Sequence, residues 1–292
     1  MNKSGYSRKI AHEDGLQICV PLVCEWVIIQ GGCYNSLVFI HLIIAFSGWV
    51  AGVLVNYLAD ILPVQRKLSR PICPTCRAPM GLKNYFFWPR VCAGCGKRRR
   101  FRCWAVEIIL TGATVWLWIS PPIRINFIVG FILLIYFSLV VVIDIEHHLI
   151  LHPVSLFGAG IGLLIGAWLH GLRPTLIGGI AGFGIMLGLY YLGALILRLF
   201  ARLKNQVLED DEGLGFGDVN LCGVLGLILG WPGIVGGVIL AILLGGVASI
   251  IYLVVLLLTG KYRSFMAIPY GPFLVASAII LLFFSTSMLS KL

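Results

Sequence analysis

Eight apolar stretches, at about 37–62, 105–120, 124–145, 153–170, 174–202, 217–230, 232–259 and 267–288, leave this chain few ways to fold. A helix crossing the ~30 Å hydrocarbon core of a bilayer needs about 20 apolar residues, and its backbone polar groups must be satisfied within the protein. So many such runs in 292 residues, 59% of them hydrophobic and 12% charged, describe an all-α polytopic integral membrane protein of about eight transmembrane helices. A mean hydropathy of +0.98 lies far outside the soluble range. The stretches 105–120 and 217–230 are short, and 174–202 is long enough to tilt or project from the bilayer. Short connections at Pro121-Pro122, His170 to Pro174 and Trp231-Pro232 imply antiparallel neighbours.

The polar remainder is concentrated. The net charge is +10, and eleven of the twenty-two Lys and Arg residues lie between Arg66 and Arg102. That bias reads as a topology signal on the cytoplasmic side, secondly as a patch for anionic headgroups, and not as a nucleic-acid surface. With this segment inside and the spans alternating, sixteen Lys and Arg fall inside against six outside, and both termini lie outside. Four divisions follow: an external or interfacial segment 1–36, a first span 37–63 closed by Pro63, a cytoplasmic four-cysteine domain 64–104, and a seven-span core 105–292. Lys97 to Arg100 and Arg102 are expected to anchor the second span at the inner surface. Glu107, near the start of that span, reads as a carboxylate favoured by the helix dipole.

Nine cysteines are present, and four of them form two Cys-x-x-Cys knuckles fifteen residues apart: Cys73, Cys76, Cys92 and Cys95. Thiolates so spaced close a tetrahedral site, and zinc is its usual occupant. The domain is too small and basic for a core of its own, so a structural zinc would supply folding energy. Four protein ligands leave no open position, so the ion is not expected to be catalytic. The alternative is a set of reduced thiols or a redox pair. Cys222 reads as a small packing residue, and a disulfide among Cys19, Cys24 and Cys33 is left open.

Two acids stand at the ends of apolar runs. Asp144 ends the stretch 127–143, and Asp218 opens the stretch 219–229 behind three alternating glycines, Gly213, Gly215 and Gly217. Acids there are costly and are functional suspects by default. The topology, drawn without reference to them, puts both at the cytoplasmic edge. Two close carboxylates do not both ionise cheaply, so one serves as base on a water while the other, protonated, polarises a carbonyl. That suits amide hydrolysis, with the glycines letting an extended backbone lie close to the acid. Proton or ion translocation is the rival reading. His147 and His148 follow Asp144 and read either as a polar helix exit or as groups tuning it or binding metal.

Gly215-Phe216-Gly217-Asp218 resembles the Gly-x-Gly-Asp motif of membrane aspartic peptidases, and residues 40 to 285 together resemble the type IV prepilin leader peptidases. The run from Asp144 to Pro153 is similar to that family's first catalytic-aspartate segment. Pro269-Tyr-Gly-Pro is similar to its last-span motif, here Pro269, Gly271 and Pro272. Gly52 to Pro63 with Asn56, and the two knuckles, match its first span and cytoplasmic domain. The resemblance implies catalytic roles for Asp144 and Asp218, with Gly215, Gly217, Pro269, Gly271 and Pro272 as motif or substrate-binding positions. It implies cleavage of the basic leader of type IV pilin or secretion pseudopilin precursors at the inner face of a bacterial cytoplasmic membrane. It also implies N-methylation of the new terminus with S-adenosylmethionine. An inactive assembly factor of the same fold is a further alternative. Asn220 stands where the family has Lys, removing a cation close to the aspartate or weakening substrate binding; Ile61 replaces an arginine common before Pro63.

Overall fold

The computed structural model describes residues 31–66, 69–73, 76, 78–86, 90–98, 101–122, 124–204, 215–259 and 269–284. The expectations for residues 1–30, including Cys19 and Cys24, lie outside the described residues. Residues 43–292 form one compact unit; residues 1–42 form a separate one, represented among the described residues by the first turns of helix α1. The helices in order are α1 (Gly31–Gln65), α2 (Leu82–Phe86), α3 (Phe101–Ile119), α4 (Phe127–His147), α5 (His152–His170), α6 (Leu172–Lys204), α7 (Phe216–Leu229), α8 (Gly233–Leu258) and α9 (Gly271–Ile279), the last continued by a π turn at Ile280–Phe284.

Each apolar stretch read from the sequence is therefore a helix. Six are long and apolar enough to cross a membrane, and Phe216–Leu229 and Gly271–Phe284 are shorter apolar helices. The chain is a multi-pass membrane protein. Its outer faces fit that solvent: Leu164, Ile250 and Leu258 are largely exposed, which lipid tolerates and water does not. Pro63 does not close the first helix, which runs on to Gln65. Proline removes only its own N–H and crowds the carbonyl four residues back, and two more helical residues follow before Arg66 turns left-handed at φ 53°.

Helix α4 is the most enclosed span, with Leu133, Phe137, Val140 and Ile143 in the core. Around it, α3 packs on α4, and α9 packs on α4, α7 and α8. The most extensive crossing is α6 on α7, where backbone meets backbone. A Cβ on Gly182 would lie 2.5 Å from the Cys222 carbonyl oxygen, and Gly178 and Gly226 face each other's carbonyls more tightly still. Without a hydrophobic driving force between helices in lipid, such small-residue contacts supply the attraction. They fix the register of α7 against α6.

Candidate functional site

Asp144 lies in the last turn of α4 and Asp218 in the first turn of α7. The two are close enough for the charge on one to act on the other. Both are buried, at 4% and 8% exposure, so this is a shared internal site rather than two surface acids. Gly215 caps α7 in an extended conformation, and its carbonyl accepts the Asp218 N–H at 3.0 Å. Helix α9 closes the site from the other side, with the Gly271 backbone against the Asp144 carboxylate. Oδ2 of Asp144 has no hydrogen-bond partner among the described residues, so it is available to a proton, a water or a substrate group.

The glycines of the motifs are there for room. A Cβ at position 271 would sit 2.5 Å from Asp144 Oδ2, and one at 217 would sit 2.8 Å from the Ile150 Cβ in the α4–α5 connection. Pro272 occupies the first turn of α9, where its missing N–H costs nothing; Pro269 lies just before that helix. Gly271→Ala is expected to displace the Asp144 carboxylate and destabilise the packing of α9 on α4 by about 1–3 kcal/mol, the usual cost of overpacking. A thermal melt checks this; a variant as stable as the parent would show that the contact is slack.

Tyr270 was not singled out by sequence reasoning, although it sits inside the quoted Pro269-Tyr-Gly-Pro stretch. Its ring, Asp218 and Cys222 lie within electrostatic reach of one another. Cys222 is fully buried, consistent with a packing role. His148 ends α4 in the left-handed region (φ 50°, ψ 34°), donating its backbone N–H to the Asp144 carbonyl. It is also near enough for its charge to act on the Asp144 carboxylate. The sole cluster of potential metal ligands among the described residues is the cysteine set, so neither histidine joins one.

Asn220 stands two residues beyond Asp218 in α7, about 200° around the helix from it. It lines a groove of about 790 Å³ between α5, α6 and α7, together with Ser155, Leu156, Ile180, Phe183 and Leu227.

The four knuckle cysteines converge: their Sγ atoms lie within 4.8 Å of one another. Cys73 and Cys95 are 3.7 Å apart and Cys76 and Cys92 3.6 Å, pairing across the two knuckles. Sulfurs at the corners of a tetrahedron with ~2.3 Å bonds to zinc stand about 3.8 Å apart, so the set fits a metal ion. The Ala78 backbone favours the Cys76 thiolate, but desolvation and hydrogen bonds with the other three thiols outweigh it and push the thiol up to about 12. Without an ion the Cys76 thiol keeps its proton, and a cation bound there would displace it.

Glu107 is not an exposed first-turn acid. Helix α3 starts at Phe101, so Glu107 lies in its second turn at 2% exposure, paired with Arg90 at 2.8 Å. Trp49 Nε1 donates to it at 3.1 Å, and Asn56 donates to the Cys103 carbonyl at 2.9 Å. Arg90 also lies over the Trp104 ring, 4.8 Å from its centroid. A buried charge needs partners, and here the knuckle domain provides one. Arg102 likewise is no free surface anchor: its guanidinium bridges Asp60 of α1 and Glu146 of α4.

Residues 128–250, which include both acids, match the model of the Type IV leader peptidase family. A prepilin leader peptidase/N-methyltransferase of Burkholderia pseudomallei is 35% identical over 127 residues, 43% of this chain and 36% of that relative. The chain's match thus spans little more than a third of that protein's length. Proteins of the same description from Aeromonas hydrophila and Bacillus subtilis are 26% identical over 239 residues and 24% over 237. Those alignments cover 78% and 76% of this chain, and 76% and 84% of the relatives. No solved structure matches the chain.

Proposed function

We propose that this chain is a member of the type IV leader peptidase family, whose model its residues 128–250 match, and that it is a membrane aspartic endopeptidase removing the basic leader from type IV prepilin or pseudopilin precursors. The observation that carries this reading is the pair of buried carboxylates, Asp144 and Asp218, brought from separate helices to one place with glycine backbone on either side. In the proposed reaction one carboxylate takes a proton from a water as that water attacks the scissile carbonyl. The other, protonated, donates a hydrogen bond and then its proton to the carbonyl oxygen. Collapse of the tetrahedral adduct breaks the C–N bond, and a proton passes to the departing amine. The products are a leader ending in a carboxylate and a mature chain with a free α-amine. The backbone at Gly215, where a side chain would meet nothing nearer than 3.9 Å, offers space for the extended scissile segment beside Asp218.

The active face is assigned to the cytoplasm of a bacterial inner membrane, supported by the concentration of Lys and Arg between residues 66 and 102. The knuckle cysteines are assigned a structural zinc. Methylation of the new α-amine, with S-adenosylmethionine supplying the methyl group, is proposed from the description shared by the relatives alone.

The deciding experiment is a gel-shift assay of the purified protein in detergent with a precursor bearing a basic leader and an apolar helix. Cleavage is expected without any membrane gradient, which separates a peptidase from an ion-coupled transporter. A catalogue of such precursors left uncut by folded protein would refute the reading and favour an assembly factor. Mass spectrometry of the mature product then reports whether its terminus carries a methyl group.

A further inference from the structure

We propose that Arg102 is a positioning residue for Asp144, holding the end of α4 by tying it to α1 and α3; its kinetic consequence rests on the peptidase reading above. Arg102 sits in the first turn of α3, Glu146 in the last turn of α4 and Asp60 near the end of α1. One guanidinium nitrogen, Nη1, donates to Glu146, and Nη2 donates to Asp60. Asp60 is held from a second direction by the Tyr85 hydroxyl of the knuckle domain, at 2.5 Å. These side chains are only 7–21% exposed, so solvent screens the contacts weakly.

The placement of the charges carries the argument. A cation in the first turn of a helix and an anion in the last turn each oppose their own helix dipole. Arg102 and Glu146 both do so, and each supplies what the other's helix end lacks. Glu146 is two residues beyond Asp144, about 200° around the helix, so Arg102 grips the back of the turn whose front presents the carboxylate. It acts through that turn, not on the reacting atoms. The last carbonyls of a helix have no partners within it, and such ends fray unless something holds them. A planar fork reaching two carboxylates on two helices fixes orientation as well as distance, which a lysine ammonium does not reproduce.

The test uses the full chain in detergent, as wild type and as Arg102→Gln, Arg102→Lys, Glu146→Gln and the double variant Arg102→Gln/Glu146→Gln. Amide hydrogen exchange read by mass spectrometry is expected to quicken about tenfold or more over residues 141–148 in both Gln single variants, with α7 protected as in wild type. In cleavage kinetics, kcat is expected to fall about 10- to 100-fold with KM nearly unchanged, and Arg102→Lys to recover part of the loss. The double variant should be no slower than the slower single one, because both remove the same tie. Wild-type exchange at the α4 end in the single variants, or losses that multiply in the double, would overturn the proposal. Should Arg102→Gln fail to fold, Glu146→Gln, which removes one arm of the fork, carries the same two readings. Failure of the wild type to cut any precursor counts against the peptidase reading alone; the exchange data still decide the role of Arg102.

Discussion

Asparagine at either Asp144 or Asp218 is expected to lower kcat for the proposed precursor cleavage by about 10²–10⁴-fold, the range that follows when a positioned acid or base is lost. Asparagine keeps the shape and volume of the side chain, and at 4% and 8% exposure both positions demand that. Packing is therefore preserved while the group that exchanges protons is removed. The two losses should not multiply. Base and acid work on the same water and the same carbonyl, so once either is gone the other has nothing to complete, and the double variant resembles the worse single one. The measurement is steady-state cleavage with melting temperature as the control for folding. A folded single variant keeping more than a tenth of wild-type turnover would be incompatible with a two-carboxylate mechanism.

Stripping the metal, or replacing Cys76 or Cys92 with serine, is expected to unfold the segment between α1 and α3. That segment's own core consists of Cys73, Met80, Tyr85 and Cys92, with Tyr57, Phe86 and Cys95 partly packed against them. So few apolar side chains do not offset the entropy of ordering the chain around them. Structural zinc sites contribute on the order of 10–16 kcal/mol in isolated knuckle peptides at neutral pH, enough to decide between folded and unfolded. Metal analysis should find a single zinc per chain in the wild type and none in the serine variants. Trypsin should then cut readily among the lysines and arginines of the segment. Serine variants that retain their metal, or a stripped protein as resistant as the loaded one, would mean that the cysteines are not a folding site.

What was legible in the sequence followed from length and spacing. Apolar runs announce helices in a bilayer because nothing else satisfies their backbone there, and each expected run is present as a helix. The convergence of Cys73, Cys76, Cys92 and Cys95 was readable because paired short spacings leave little else for four thiols to do. Topology put Asp144 and Asp218 at one depth, and the packing of α4 and α7 around α9 brings them close. What stayed hidden depends on facing. Asn220 lines the groove between α5, α6 and α7, a facing that its neighbours in sequence do not announce. Glu107 looked like a routine helix-start acid because its partner, Arg90, comes from a separate domain. Arg102 was masked by the basic residues beside it, since a run of like charges reads as a surface until the carboxylates it reaches are seen. Pro63 misled because proline near a helix end is tolerated more readily than proline in its middle.

The brevity of α7 sets how far its acid lies from water. Fourteen residues at about 1.5 Å each make roughly 21 Å, against a hydrocarbon layer of about 30 Å. A helix of that length would fall about 9 Å short of crossing the layer, a gap that lipid thinning or water descending to the helix end would meet. The crossing with α6 leaves no freedom to slide, because the glycine contacts hold the two backbones together. For a substrate whose scissile bond adjoins an apolar helix, this moves the aqueous boundary toward the bond, so that less of the helix has to leave the lipid for water to reach it.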